Sequence, residues 1–458
     1  MKQSIIAKYY TQALYFFREG HPRSLKIKKH IAASFGIKGV SILIGFLLVP
    51  ITLDFLNKEL YGIWLTLASV ITWFNLFDIG LGYGLRNKLA EALAKNETEK
   101  AKSLVSSTYF LITAISGVLL ILFLLINPFV NWNTILNVDK NTIDTLGLVA
   151  LVTFAFFCVT FVLKLVQSIF LADQRPAYVG FFDLVANFIS LAIILVLIQI
   201  TSGSLLALAI AMGIAPVVVL TFCNIYFFST RYRSIAPSWK FIKKEHFNVL
   251  GSLGFKFFLV GITGLVIFST DNLIIVQLFG PSEVPAYQVA FKYFGLITSV
   301  FSIIAVPFWS AYTDAQTKGD LDWILDTNKK LKLIWSGLLA VSLIMLILSD
   351  WFYRLWVPEI PVPFILSIAM CIYVLALAWG NIFVMYINGV GKVRLQVVVS
   401  LVGALINIPL SIFFAKNLNL GSAGIIMAST ICIGFGPVLG PIQFNKLIKS
   451  KASGIWNQ

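Results

Sequence analysis

Long apolar runs alternate with short polar breaks along almost the whole chain. Runs of about 20 residues are long enough to cross a hydrocarbon core as helices. Twelve fall near 31–56, 60–86, 104–126, 146–172, 178–200, 205–228, 251–279, 285–312, 331–349, 363–388, 395–415 and 423–445. The breaks are polar or carry Gly and Pro, as in DQRPA at 173–177 and FGPSEV at 279–284. A membrane β-barrel would instead show alternating segments of about ten residues. The pattern therefore predicts an all-α integral membrane protein with twelve transmembrane helices.

The polar breaks also repeat. FLNKELYGIW (55–64) follows the first run and LFGPSEVPAYQVA (278–290) the seventh, so that Glu59 and Glu283 are 224 residues apart. On the opposite side, ALAKNE (92–97) matches AQTKGD (315–320), and Lys95 and Lys318 are 223 apart. Nearly one offset on both sides predicts a six-plus-six repeat. Because six is even, the two six-helix lobes run parallel, related by a pseudo-two-fold axis along the membrane normal with a central cleft between them. The expected organisation is a basic segment at 1–30, an N-lobe at 31–228, a linker at 229–250, a C-lobe at 251–445 and a tail at 446–458.

Composition narrows the class. Charged residues are 12% of the chain and mean hydropathy is +0.89, whereas soluble domains carry about 25% charged residues. The net charge of +15 follows from orientation rather than nucleic acid. With both termini in the cytoplasm, 28 of the 35 Lys and Arg fall on inner segments and 4 on outer loops, with Lys164, Lys256 and Lys292 inside spans. That bias is the positive-inside signature. Residues 1–30 stay basic through Lys29 with no cleavage pattern, so they do not read as a signal peptide. IIAKYYTQALYFFREG suits either an interfacial helix or a plain basic tail. Cys158, Cys223, Cys371 and Cys432 sit singly in apolar runs and His21, His30 and His246 are scattered. No metal or other cofactor is expected.

One stretch, FDIGLGYGLRNKLAEAL at 77–93, imitates a phosphate loop. It fails as one: Gly80, Gly82 and Gly84 are followed by Leu85 where GxGxxG needs its last glycine, and an apolar helical run precedes it instead of a strand. It reads as the cytoplasmic end of the second span, with Asp78 about two turns from Arg86.

FLNKELYGIW, FDIGLGYGLRNKLAEALAK, STDNLIIVQLFG and PFWSAYTDAQTKGD resemble the polysaccharide (Wzx-type, O-antigen) flippases of the multidrug and oligosaccharidyl-lipid exporter superfamily, over residues 31–445. The resemblance implies export of an undecaprenyl-diphosphate-linked oligosaccharide across a bacterial inner membrane. It implies alternating access, N-in and C-in, with membrane lipids and other glycan-export proteins as partners. Ionisable groups inside spans are costly and point to function. Arg86, Lys164, Lys256 and Lys292 are the candidate substrate-binding cations, suited to diphosphate and acidic sugars. Asp78 and Asp271 are the candidate carboxylates for proton or sodium coupling, or for charge pairing. By depth from the span ends, Asp78 matches Lys164 and Asp271 matches Lys292, so two structural ion pairs are the competing reading. Lys256 and Asp183 suit snorkelling, and Trp351 and Trp356 an interfacial belt. A multidrug cation exporter and a lipid II flippase are alternatives. A membrane glycosyltransferase or polymerase lacks its usual large outer loop here, so no catalytic residues are expected.

Overall fold

The structure is a computed structural model that describes residues 22–74, 81–138, 145–173, 175–201, 203–243, 245, 270–305 and 308–457, with side chains from residue 36 onward except at 83, 87, 94, 176, 310, 313, 314, 317, 318 and 435. Helices α1 (Pro22–Leu56), α2 (Lys58–Thr72), α3 (Leu81–Ala94), α4 (Thr98–Ile126), α5 (Leu146–Leu163), α6 (Leu165–Ala172), α7 (Pro176–Ile200) and α8 (Leu205–Ser229) make up the N-terminal half. The C-terminal half holds α9 (Asp271–Phe279), α10 (Val284–Ala305), α11 (Phe308–Lys318), α12 (Leu321–Trp356), α13 (Phe364–Val390), α14 (Arg394–Ile412), α15 (Gly421–Cys432) and α16 (Gly440–Ile448). No strand occurs among the described residues. Helices answer the demand that every backbone group in lipid be satisfied within its own segment. Hydroxyls in the spans meet the same demand by donating back one turn, as Thr66 does to Gly62 O at 2.9 Å and Thr108 to Leu104 O at 2.9 Å.

Among the described residues, nine helices are long and apolar enough to cross a membrane, and α15 with α16, bent by 42° at their break, makes a tenth. The expected second and seventh spans cross residues 75–80 and 246–269, outside the described ones. Helix α1 runs from Pro22 to Leu56, and its membrane-length apolar part is Gly36–Leu56; most of the expected basic segment at 1–30 lies outside the described residues. Residues 230–243 fold onto α4 through its serines. Ser103 Oγ donates to Phe241 O at 2.9 Å, and Ser106 Oγ and Ser107 Oγ accept from Ser238 N and Lys243 N, each at 3.0 Å.

Two turns recur in both halves. Asn57, capping α2, has φ 83° and ψ 168°, and Gly280, opening the turn before α10, has φ 88° and ψ 166°. Asn96 (φ 57°) and Gly319 (φ 72°) stand one residue before the caps of α4 and α12. Those caps, Glu97 and Asp320, have φ −80°, ψ 68° and φ −82°, ψ 72°. Both pairs of positive φ are 223 residues apart. Glycine, and less readily asparagine, tolerates this region.

Among the described residues, the buried apolar side chains form three clusters. One draws on both halves, with Leu53, Ile63 and Leu67 beside Ile275, Val284 and Phe294. Another lies wholly in the N-terminal half, around Leu85, Val105 and Phe170, and the last wholly in the C-terminal half, around Phe301, Tyr312 and Phe383. The halves are thus joined at one end of the molecule, while each keeps its own core at the other.

Candidate functional site

Where the halves part, two adjoining cavities of about 510 Å³ and 640 Å³ lie between α1, α7 and α8 on one side and α10 on the other. Both are lined by Lys38, Ser41 and Asn187. The first adds Gly45, Gln288, Lys292, Thr298 and Ser299, and the second adds Asp183 and Ser190. Lys292 reaches across from α10 to donate to Gly45 O of α1 at 2.5 Å. Asp183 accepts from Gln167 Nε2 at 3.0 Å. The lining therefore combines two ammonium groups with amides and hydroxyls around one carboxylate, on walls that are otherwise apolar.

Where the halves join, α9 carries most of the polar contact. Asn272 donates to Ser69 Oγ of α2 at 2.6 Å and accepts from Gln288 Nε2 at 2.6 Å. Gln277 Nε2 donates to Thr134 O at 3.0 Å and Ile135 O at 2.6 Å, and Asn137 Nδ2 donates to Val276 O at 3.0 Å. Gly62 of α2 lies so close to Pro281 that a Cβ there would stand 1.9 Å from Pro281 O. These contacts seal the cavities at that end.

Beside the first cavity, which shares Gln288 and Phe291 with it, is a smaller polar pocket of about 100 Å³, lined also by Ser69, Thr72, Asp271, Asn272 and Tyr287. Asp271 is 5% exposed. Its carboxylate accepts from the Tyr287 hydroxyl and, at 3.4 Å, from Ser429 Oγ, which in turn accepts from Asn407 Nδ2 at 3.0 Å.

The anticipated Asp271–Lys292 pair is not formed. Lys292 turns to α1 and the cavity, while Asp271 faces Tyr287 and Ser429. The two groups match in depth but differ in direction around their helices. Lys164 sits exposed at the break between α5 and α6, and Arg86 is exposed on α3, outside the lining of both cavities. Asp78 and Lys256 lie outside the described residues, and so does any Asp78–Lys164 pair. Of the two tryptophans expected at an interface, Trp356 donates its indole N–H to Phe46 O at 2.9 Å and Trp351 is 64% exposed. Sequence reasoning missed Lys38 by counting it with the basic flank. It also missed Asn187 and Gln288, whose signal was a lone amide inside an apolar run.

The fold and the sequence have known counterparts. An inward-facing structure of a multidrug resistance MATE family transporter of the MOP superfamily matches with a TM-score of 0.73 at 13% identity, covering 92% of this chain and 100% of that one. An outward-facing structure of such a transporter matches at 0.66 and 14% identity, over 92% and 97%. Among sequences, a protein provisionally named an O-antigen export protein from Yersinia pseudotuberculosis is 23% identical, over 81% of this chain and 85% of its own. One provisionally named an O-antigen transporter from Salmonella typhi is 20% identical, over 90% and 96%. The family profile described as polysaccharide biosynthesis protein matches residues 27–310. On that match, which takes in more than half of its length, this multi-pass membrane chain belongs to the polysaccharide biosynthesis protein family.

Proposed function

We propose that this protein is a flippase that moves a polyprenyl-diphosphate-linked oligosaccharide across the bacterial inner membrane by alternating access. The observation that carries the reading is the cavity between the halves. It is lined by Lys38 and Lys292 among amides and hydroxyls and closed at one end by the α2–α9 contacts. Ammonium groups bind phosphate as point charges, and Ser41, Asn187, Gln288 and Thr298 offer donors and acceptors suited to sugar hydroxyls. The polyprenyl tail stays in lipid, and no bond is made or broken. The names of the sequence relatives point the same way.

Twelve spans in two parallel six-helix lobes are the architecture that goes with this reading. The matching turns at Asn57 and Gly280, and at Asn96 and Gly319, support it. The Lys and Arg bias supports N-in and C-in, which turns the cavity toward the cytoplasm and the seal toward the outside. Lys38 joins Lys292 as a head-group ligand. Lys164 and Arg86 serve as outlying cations, and Lys256, outside the described residues, remains a candidate from the expected seventh span. Asp271, buried in the small polar pocket beside the first cavity, and Asp78 are the carboxylates for proton or sodium coupling. The fold neighbours include multidrug transporters, but two lysines against one aspartate in the lining disfavour a cationic drug.

The test uses cells that assemble the lipid-linked glycan but lack this protein. Export to the outer leaflet is expected to stop, to return with the natural gene, and to return weakly with Lys38→Met or Lys292→Met at equal protein level. Normal export without the protein overturns the reading.

A further inference from the structure

Residues 231–244 carry Arg231, Arg233, Lys240, Lys243 and Lys244 around a single tryptophan, Trp239, with no acidic residue among them. The fold pins this strap to the N-terminal half from one side. Tyr232 and Ile235 are buried. The Tyr232 hydroxyl donates to Asp173 at 2.8 Å, and Arg231 pairs with the same carboxylate at 3.0 Å. The backbone at Ser238, Phe241 and Lys243 is held by the three serines of α4. Lys243 is taken up by acids: its Nζ is 3.9 Å from Glu245, and both line a hollow with Glu97 and Glu99. Arg233, Trp239 and Lys240 are left facing outward. Trp239 is 79% exposed and meets Phe110 of α4 edge-on, with ring centroids 5.9 Å apart. A strap this firmly held keeps a large indole out of the core and forgoes its burial.

The level of the strap along α4 says what the indole meets. Phe110 shares a face of α4 with Val118, Ile121 and Leu125, all exposed. The apolar run ends at Ile126, before Asn127. A hydrocarbon core of about 30 Å, counted back from Ile126 at about 1.5 Å per residue, reaches to about residue 107. The strap crosses α4 at that boundary, at Ser103, Ser106 and Ser107. Tryptophan favours this level, where one end of the ring is apolar and the other wet. We propose that the strap is a head-group site for anionic phospholipid of the cytoplasmic leaflet. Trp239 seats its ring beside Phe110 at the hydrocarbon edge, and Arg233 and Lys240 bind the lipid phosphate. The site does not depend on the transport reading; only the choice of leaflet follows from N-in and C-in.

The test places the full chain in nanodiscs of phosphatidylcholine and phosphatidylglycerol in equal parts, and native mass spectrometry counts the lipids that stay bound. The natural protein is expected to retain phosphatidylglycerol in preference. Arg233→Gln with Lys240→Gln is expected to lower that preference about fivefold for each charge, the equivalent of about 1 kcal/mol per cation. Lys329→Gln with Lys449→Gln removes the same charge from exposed positions of the C-terminal half and is expected to leave the preference unchanged. Thermal unfolding in the same nanodiscs checks that both variants are folded. Equal losses in the two variants, or no loss in the strap variant, overturn the site. The seating of the ring is read separately, with acyl chains brominated near the glycerol. The natural protein is expected to lose a larger fraction of its fluorescence than Trp239→Phe, and equal quenching overturns the seating. A dimer in the native spectra that Trp239→Phe dissociates gives the face to a second copy and overturns the lipid reading.

Discussion

Gly62→Ala perturbs the contact where the two halves touch most closely. Its Cβ would stand 1.9 Å from Pro281 O, 2.7 Å from the carbonyl carbon and 3.2 Å from Pro285 Cδ. Ordinary contact begins at about 3.4 Å, so the facing backbones must part by about 1.5 Å. Overpacking of this kind costs about 1–3 kcal/mol. Because Gly62 and Pro281 belong to opposite halves, the strain is relieved by parting the seal rather than by repacking one core. The closed-to-open ratio is then expected to fall by about 5-fold to 150-fold at about 1.4 kcal/mol per tenfold. The assay places a single reporter at Val276→Cys, buried in the seal, after the four native cysteines, all buried, are replaced by alanine. A membrane-impermeant maleimide then measures reactivity in spheroplasts. Gly403→Ala is the control: its Cβ would stand 2.5 Å from Cys432 O, but both residues lie in one half. It is expected to lower thermal stability without raising reactivity. If Gly62→Ala behaves as Gly403→Ala does, the contact is static packing and the gate argument falls.

Further outcomes follow from the same contacts. Asn272→Ala removes the bonds to Ser69 and Gln288, each worth about 1 kcal/mol, and is expected to raise Val276→Cys reactivity severalfold at unchanged expression. Asp271→Asn keeps the bulk of the side chain and removes its charge; it is expected to abolish the response of glycan export to the ion gradient in vesicles while binding of polyprenyl diphosphate persists. Asp183→Asn removes the one carboxylate lining the cavities with Lys38, and is expected to leave drug susceptibility unchanged. Glu91, on the exposed end of α3, is held down to about 2 by hydrogen bonds from Lys95 and Lys88. Its folded value lies below its unfolded one, so its contribution is complete above the ordinary carboxylate range and is lost only as pH falls toward 2. Glu91→Gln is therefore expected to leave the pH profile of export unchanged between about 5 and 8.

What could be read from the sequence was set by what a bilayer demands. Spans declare themselves because lipid tolerates no unsatisfied backbone, and the polar breaks are alike at one offset, near which the turns at Asn57 and Gly280 also share a positive φ. Depth could be counted along each span from a rise of about 1.5 Å per residue. Direction around the helix axis could not. Tyr287 and Lys292, five residues apart on α10, point to different neighbours, so equal depth did not pair Asp271 with Lys292. The same blindness hid the partner of Trp356, a carbonyl 310 residues away. Lys38 was lost differently: a lysine near a span end satisfies the positive-inside pattern whether or not it also faces a cavity.

The core shared by the two halves has an electrical consequence. On the alternating-access reading proposed above, water entering the cavities carries the potential of that side up to the α2–α9 contacts, and the membrane voltage then falls mainly across the apolar residues around Ile63, Leu67, Ile275 and Val284. A unit charge crossing the full voltage changes in energy by about 2.3 kcal/mol per 100 mV. Asp271 lies at the edge of that group, where a short displacement of charge samples much of the drop. On that reading the same few side chains that join the two halves also set how strongly the membrane voltage acts on this protein.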